Sequence, residues 1–462
     1  MLFNSLQFLL FFPVVIFVYF VLPSKYRVLW LLAASYFFYL SWKWQYGLLI
    51  LLSTTIVYFL ALWMDKINSA SGKKVLLSFG VGVNLAILFI FKYFNFFVDN
   101  VPFLNLVHLD LLLPIGISFY TFQSLSYLID LRSGKVEIEK NFANFALYVS
   151  FFPQLVAGPI ERAGSLMPQL SNLKGFDKDK VVAGLKLIII GFFLKLVIAD
   201  RLALAVDSVY MNVENFSSLT HLLSSYFFAF QIYGDFAGYS LIAIGLAKIM
   251  GVDLSPNFRR PYFASSVRDF WRRWHITLSN WFRDYVYIPL GGSRKGKPRI
   301  MLNVLIVFAL SGLWHGAAWT FVVWGLLHAV FIIFGVLFAP LLKKIPRFLG
   351  ILCTFHLVVL SWIFFRANSI KEAWYVVKSI FGGEFVFSLA SLDFGIGMPE
   401  VFLAILLIIG LVIFQYFQEF RSETFHKLMR NSFLSFCAYG LLFLMILSVG
   451  VLENKSFIYF QF

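Results

Sequence analysis

A chain of 462 residues with 60% hydrophobic, 20% aromatic and only 13% charged residues is not a soluble globular domain, whose charged share is about 25%. Apolar runs of about 20 residues recur along it, each long enough to cross roughly 30 Å of hydrocarbon, and they are apolar all round where a β-barrel would alternate. The formal charge of +15 points to Lys- and Arg-rich cytoplasmic loops and not to nucleic acid, and two cysteines, Cys353 and Cys437, are too few for a disulfide framework.

The opening stretch MLFNSLQFLLFFPVVIFVYFVL has no basic n-region and no small-residue cleavage site, so it reads as a first membrane span, about Leu6 to Leu22, and not as a signal peptide. Spans follow to about Leu40, from Gly47 to Trp63, from Val75 to Phe97 and from Leu112 to Ile129. Lys25 and Arg27, then Lys66, Lys73 and Lys74, then Arg132, Lys135 and Lys140 fall on alternate loops, with Lys43 a minor exception. The positive-inside rule makes those loops cytoplasmic and places the N-terminus outside.

From Phe142 the run becomes irregular: NFALYVSFFPQLVAGPIERAGSLMPQL is apolar but interrupted by Pro153, Gly158 and Pro159. Proline removes an amide donor and disfavours helix in the residue before it. Broken backbone at membrane depth needs protein or a water-filled cavity around it. A re-entrant segment lining a cavity and a proline-kinked helix both fit. Val181 to Ile198 and Tyr226 to Ile249 are further spans; Asp235 in the second is a costly intramembrane acid, read as hydrogen-bonded within the bundle at a local helix break. After the central stretch come Phe331 to Phe338, completing a span, then Leu349 to Phe365, Val401 to Phe417 and Phe433 to Val451, with a long loop from Arg366 to Glu400 placed outside. No soluble domain, low-complexity tract or clear internal repeat interrupts this pattern.

The polar groups concentrate between Asn257 and Val330. Its first part, NFRRPYFASSVRDFWRRWHITLSNWFRDYVYIPLGGSRKGKPR, is basic and aromatic. If Val267 to Tyr285 forms one helix, about 100° per residue brings Arg268, Arg272, His275, Ser279 and Arg283 into a sector of about 80°, with Phe270, Trp274 and Trp281 opposite. Such a helix lies at an interface or lines a cavity. Arg259, Arg260, Arg294, Lys295, Lys297 and Arg299 extend the positive field. The face fits anionic lipid headgroups, or a phosphorylated acyl donor such as coenzyme A or an acyl-carrier domain, which the planar donor fork of arginine suits.

His315 stands in SGLWHGAAW. Gly312 and Gly316, four apart, leave a helix face bare for close approach by a backbone or a thin ligand, and Trp314 and Trp319 could wall a pocket. A neutral imidazole there could take a proton from a hydroxyl and return it to a leaving thiolate, although a buried histidine also serves structure. His275, His315 and His328 lack zinc-ligand spacing. There is no GxxxxGK[ST], GxSxG or βαβ-type GxGxxG motif.

FFPQLVAGPIER, DFAGYSLIAIGLAKIMG, NFRRPYFASSVRDFWRRWHITLSNWFRDYVYIPLGG and SGLWHGAAWTFVVWGLLH, in this order, resemble the membrane-bound O-acyltransferase (MBOAT) family, and WFRDYVYIPLGG resembles its bacterial glycan O-acetyltransferase branch. The resemblance implies an all-α polytopic membrane protein of about 11 transmembrane helices, with re-entrant or interfacial helices around a central tunnel. One domain spans residues 1–462, with a catalytic core at about 142–340. It also implies that His315 is the catalytic histidine, read here as the general base, and His275 the second histidine; the basic face of Arg268, Arg272 and Arg283, with Ser279, is then read as the surface that binds the donor. That donor is acetyl-CoA or an acyl-carrier thioester, with no metal and no permanently bound cofactor. The partners implied are the lipid bilayer, a glycan acceptor and an extracytoplasmic SGNH-type O-acetyltransferase, at the bacterial cytoplasmic membrane. The sequence departs from the branch at Leu241, where relatives often carry an acid. D-alanyl transfer to a teichoic acid-type polymer, a non-catalytic transporter and an anchoring scaffold are the competing readings.

Overall fold

The computed structural model describes residues 1–104, 106–156, 158–386, 388–389, 392, 394–453 and 457–460. Among the described residues every regular element is a helix, and nine helices are long and apolar enough to cross a membrane: Trp44–Lys66, Ala70–Asn100, Lys178–Met211, Ser218–Ile249, Gly296–His315, Trp319–Leu337, Arg347–Arg366, Met398–Phe420 and Ser432–Val449. Leu6–Val21 and Ser24–Leu40 are shorter, at 16 and 17 residues. The span expected from Leu112 to Ile129 is instead a helix Ile117–Arg132, buried along most of its length. Its start is displaced because Gly116 adopts φ 77°, open to glycine at little cost. A Cβ there would also lie 2.6 Å from the Leu155 carbonyl oxygen.

The chain forms two compact units, Met1–Ile188 with Tyr239–Pro256, and Ile189–Gly238 with Asn257–Phe462. In the first unit, Phe3, Phe8, Phe38 and Phe152 make an aromatic core. The irregular stretch is truly broken: helix Phe142–Ser150 stops at Phe151, whose ψ of 108° leaves the helical region, and a short turn Phe152–Leu155 follows with proline in its first positions. Ala157 within this stretch lies outside the described residues. Buried side chains take up the freed backbone groups, as burial requires: Gln123 and Gln154 both donate to the Tyr148 carbonyl, at 2.7 and 2.8 Å. Glu161, buried just beyond, accepts from the backbone and hydroxyl of Ser255, at 2.5 and 3.1 Å.

The second unit is built on the antiparallel hairpin of Gly296–His315 and Trp319–Leu337, against which Arg347–Arg366 packs. A side chain on Gly312 would run into the Phe321 carbonyl and one on Gly325 into the Phe308 carbonyl. The two helices therefore approach backbone to backbone, the usual role of small residues where lipid supplies no hydrophobic drive. The bare face noted in the sequence serves this approach. Gly316 lies past the helix end, where a Cβ would collide with the Phe321 ring.

Candidate active site

His315 ends its helix and is 2% exposed. Four aromatic rings surround it, with centroids at 5.0 Å (Trp314), 4.9 Å (Trp324), 5.6 Å (Phe365) and 5.4 Å (Tyr459). Trp324 meets it edge to face at 89°. Such a setting is dry, so electrostatic and proton-transfer effects there are stronger than in water.

His275 is fully buried, 6.0 Å from Trp314 and 6.5 Å from Tyr459 between ring centroids. The two histidines thus share two aromatic neighbours. His275 lies on a loop. Its φ of 41° places it in the left-handed region, which a non-glycine residue enters at some cost. The single helix expected from Val267 to Tyr285 is accordingly interrupted: Val267–Trp271 and Ile276–Phe282 are helical, and Arg283–Tyr287 is a π-turn. The cause is competition for backbone groups. The Ile276 amide donates to the Asn257 carbonyl, and the Arg273 carbonyl accepts from the Arg259 amide, each at 2.9 Å. The Thr277 amide goes to the Asn257 side chain.

Asn257 also sets the tautomer of His275. Its Oδ1 accepts from the Thr277 hydroxyl at 2.9 Å and the Thr277 amide at 3.3 Å, which fixes the amide orientation. His275 Nδ1, 3.1 Å from the same oxygen, must then carry a proton and donate. Nε2 is left as the basic nitrogen. Burial pushes the imidazole down to about 3, so His275 is neutral at physiological pH.

Tyr459 is placed by an ionic cluster. Lys195, 1% exposed on a π-turn (Phe193–Ala199), pairs with Asp200 at 2.8 Å and Asp235 at 2.7 Å. The other oxygen of Asp235 accepts from the Ile458 amide at 2.6 Å. Tyr459 is the next residue, and Phe457, two before it, stacks on it at 5.3 Å. Asp235 therefore has the intramembrane hydrogen-bonding role read from the sequence, but the helix around it, Ser218–Ile249, is unbroken.

The broken helix also undoes the expected cationic face. His275 is buried while Arg268, Arg272 and Arg283 are exposed, so the five residues do not share a face. Arg268 and Arg272 have no ion pair among the described residues. Arg283 pairs with Asp284 at 2.8 Å, and the half-buried Ser279 donates to the Trp274 carbonyl at 3.3 Å. Arg273 pairs with Asp269 and Glu419. His328, near His315 in sequence, is a structural core residue: Trp271 Nε1 donates to its Nδ1 at 3.2 Å, and its Nε2 donates to Ser361 Oγ at 2.9 Å.

Four participants escaped the sequence reading. Lys195 and Asp200, five apart in the apolar run GFFLKLVIAD, were detectable as intramembrane charges. Asn257 and Tyr459 carry no local signal, being one asparagine in a loop and one of 21 tyrosines.

The sequence profile of the membrane-bound O-acyltransferase family, MBOAT, matches residues 135–371. A Helicobacter pylori protein named peptidoglycan O-acetyltransferase is 36% identical over 421 residues, covering 83% of this chain and 80% of its own length. A Pseudomonas aeruginosa protein named probable alginate O-acetylase AlgI is 39% identical, with 82% and 75% covered. A Bacillus subtilis teichoic acid D-alanyltransferase is more distant, 30% identical over 55% of this chain and 69% of its own.

Proposed function

The chain belongs to the membrane-bound O-acyltransferase family, and on that premise we propose that it passes an acetyl group from a cytoplasmic thioester to an extracytoplasmic glycan of the peptidoglycan or alginate kind. It is an O-acyltransferase and a multi-pass membrane protein. The relatives with the greater coverage carry O-acetyltransferase and O-acetylase names, which favours acetyl over D-alanyl as the group moved.

The observation that carries the reading is the pair of buried imidazoles, His315 and His275, sharing Trp314 and Tyr459 as ring neighbours. His315 acts as general base. It takes the proton of an attacking hydroxyl, the oxygen bonds to the thioester carbonyl carbon, the carbon–sulfur bond breaks, and the proton passes to the departing thiolate. Among the described residues Tyr459 supplies the hydroxyl-bearing ring beside both imidazoles. We place it as the first acceptor, holding the acetyl group as a phenyl ester until a second hydroxyl takes it. Neutral His275, its proton committed to Asn257, offers Nε2 as an acceptor that orients a hydroxyl or a water.

The donor, acetyl-CoA or an acyl-carrier thioester, docks on the cytoplasmic side at exposed Arg268 and Arg272. Arginine suits its phosphates. An SGNH-type transferase outside the bacterial cytoplasmic membrane completes delivery to the glycan.

Membranes containing the protein, given acetyl-CoA labelled in the acetyl group, test the reading with and without such a partner. Free CoA and label on protein or glycan are measured. Turnover in wild type and none in a normally folded His315→Ala variant is the result expected. Equal turnover in both would overturn it.

A further inference from the structure

The second unit contains a cavity of about 870 Å³ between helices Ser218–Ile249, Arg347–Arg366 and Met398–Phe420. Phe230, Phe355, Ile405, Ile408, Val412 and Phe420 are among its walls, and Arg347 stands at one end. We propose that this groove binds one anionic glycerophospholipid of the surrounding bilayer, its acyl chain along the apolar walls and its phosphate at Arg347, Lys343 and Lys344.

Three observations carry this. The first is the chemistry of the walls. The walls are mostly apolar, and two of their polar groups are committed to the protein: Tyr262 donates to the Ala229 carbonyl, and Gln415 donates to the Tyr233 hydroxyl at 2.9 Å. A glycan or a nucleotide would find few groups to replace its hydration, whereas hydrocarbon needs no partner. The second is shape and access. From Ile405 to Phe420 the groove follows about 22 Å of helix, the dimension of a long acyl chain. Phe348 and Ile409 at its rim are exposed on helices that span the membrane, so the solvent they meet is lipid.

The third is charge. Glu419, 8% exposed in its side chain, is shared by Arg260 at 2.8 Å, Arg273 at 3.0 Å and Arg347 at 3.1 Å. Asp269 is the other acid, paired with Arg273. Three guanidiniums against two carboxylates leave one positive charge in excess. Lys343 and Lys344, exposed and without an ion pair among the described residues, add two more just before Arg347 in the chain. Arg347, with its side chain 56% exposed, has donors to spare for a phosphate. A zwitterionic lipid would fill the walls equally well and gain little at this end. Basic clusters beside spanning helices select anionic headgroups in general.

The protein reconstituted in vesicles of equal phosphatidylglycerol and phosphatidylcholine, matched in chains, is extracted in mild detergent and weighed by native mass spectrometry. One retained phosphatidylglycerol, preferred about tenfold, is expected. A triple Lys343→Gln, Lys344→Gln, Arg347→Gln variant should bind both lipids alike, because Arg260 and Arg273 still hold Glu419 and preserve the fold. Ile408→Trp should fill the groove and abolish retention of both. Leu441→Trp, on the exposed side of helix Ser432–Val449, should change nothing. Thermal unfolding in detergent reports whether each variant is folded. Absence of retained lipid in wild type, retention unaffected by Ile408→Trp in a folded protein, or equal binding of both lipids by wild type would each overturn the proposal.

Discussion

His315 and Tyr459 stand ring to ring, 5.4 Å between centroids and tilted by 54°. One residue is an imidazole held at a helix end, and the other reaches it from a segment pinned elsewhere, to Asp235.

Replacing His315 with Ala or Gln should reduce acetyl transfer by about 10² to 10⁴, the range in which positioned proton transfer contributes. The hairpin glycines, not the imidazole, hold the two helices together, so membrane insertion and thermal stability should change little. CoA release from isolated membranes and a melting curve in detergent measure the two effects separately.

Tyr459→Phe keeps the ring packing and removes only the hydroxyl. If Tyr459 is the first acceptor, this variant loses label on protein and glycan while its melting temperature stays close to wild type. Peptide mass spectrometry of the wild type, given acetyl donor without the partner transferase, should find the added acetyl mass on the peptide containing Tyr459. Undiminished glycan labelling by Tyr459→Phe would remove it from the pathway.

Asp235→Asn retains an oxygen that can accept from the Ile458 amide, whereas Asp235→Leu does not. Both lose one partner of Lys195, and removing one partner from a buried ion pair costs roughly 3–5 kcal/mol where the remaining charge is left uncompensated. Here Asp200 remains 2.8 Å from Lys195, so the loss should fall below that range. Transfer by Asp235→Asn should exceed transfer by Asp235→Leu when each is measured per folded molecule. Equal activity would separate Asp235 from the placement of Tyr459.

His275 gives a signed pH dependence. Its folded pKa is lowered to about 3 by burial, while in the unfolded chain it sits near 6.5. Above about pH 6.5 both states are neutral at this site and it contributes no pH dependence. Between about 6.5 and 3 the unfolded state binds the extra proton, so this group destabilises the fold as pH falls. A His275→Asn variant has nothing to titrate, and its melting temperature should fall less than wild type's between pH 7.5 and pH 5. Parallel falls would show that His275 is solvated.

Gly312→Leu should be among the most damaging single changes outside the site. Its side chain must occupy space taken by the Phe321 carbonyl, and overpacking of this kind costs about 1–3 kcal/mol or more. Loss of the folded monomer on size-exclusion chromatography, or a sharply lowered melting temperature, is the outcome to look for.

The helical spans were legible because lipid imposes a single solution, long apolar helices, and their length and charge flanks are local properties of the chain. The family was legible through SGLWHGAAW and its neighbours. The local backbone around His275 was not. A 100° periodicity assumes that each amide bonds four residues back, and Asn257, 18 residues before His275, diverts those bonds. Tyr459 was hidden for a related reason: its place depends on an acid 224 residues earlier in the chain, bonded to the amide of the residue before it. Ion pairs such as Lys195–Asp235 leave only the hint of charges where hydrocarbon is expected.

The left-handed backbone at His275 bears on how natural or laboratory variation at this position is to be interpreted. A change to Val or Ile there introduces a branched side chain into a region it resists, so its effect on transfer mixes a lost imidazole with a distorted turn. Asparagine and glycine enter that region most readily, so they report on the ring alone. A homologue carrying Asn or Gly in this place would preserve the turn while dispensing with the second imidazole. Its turnover would give the worth of that ring without the confounding of shape.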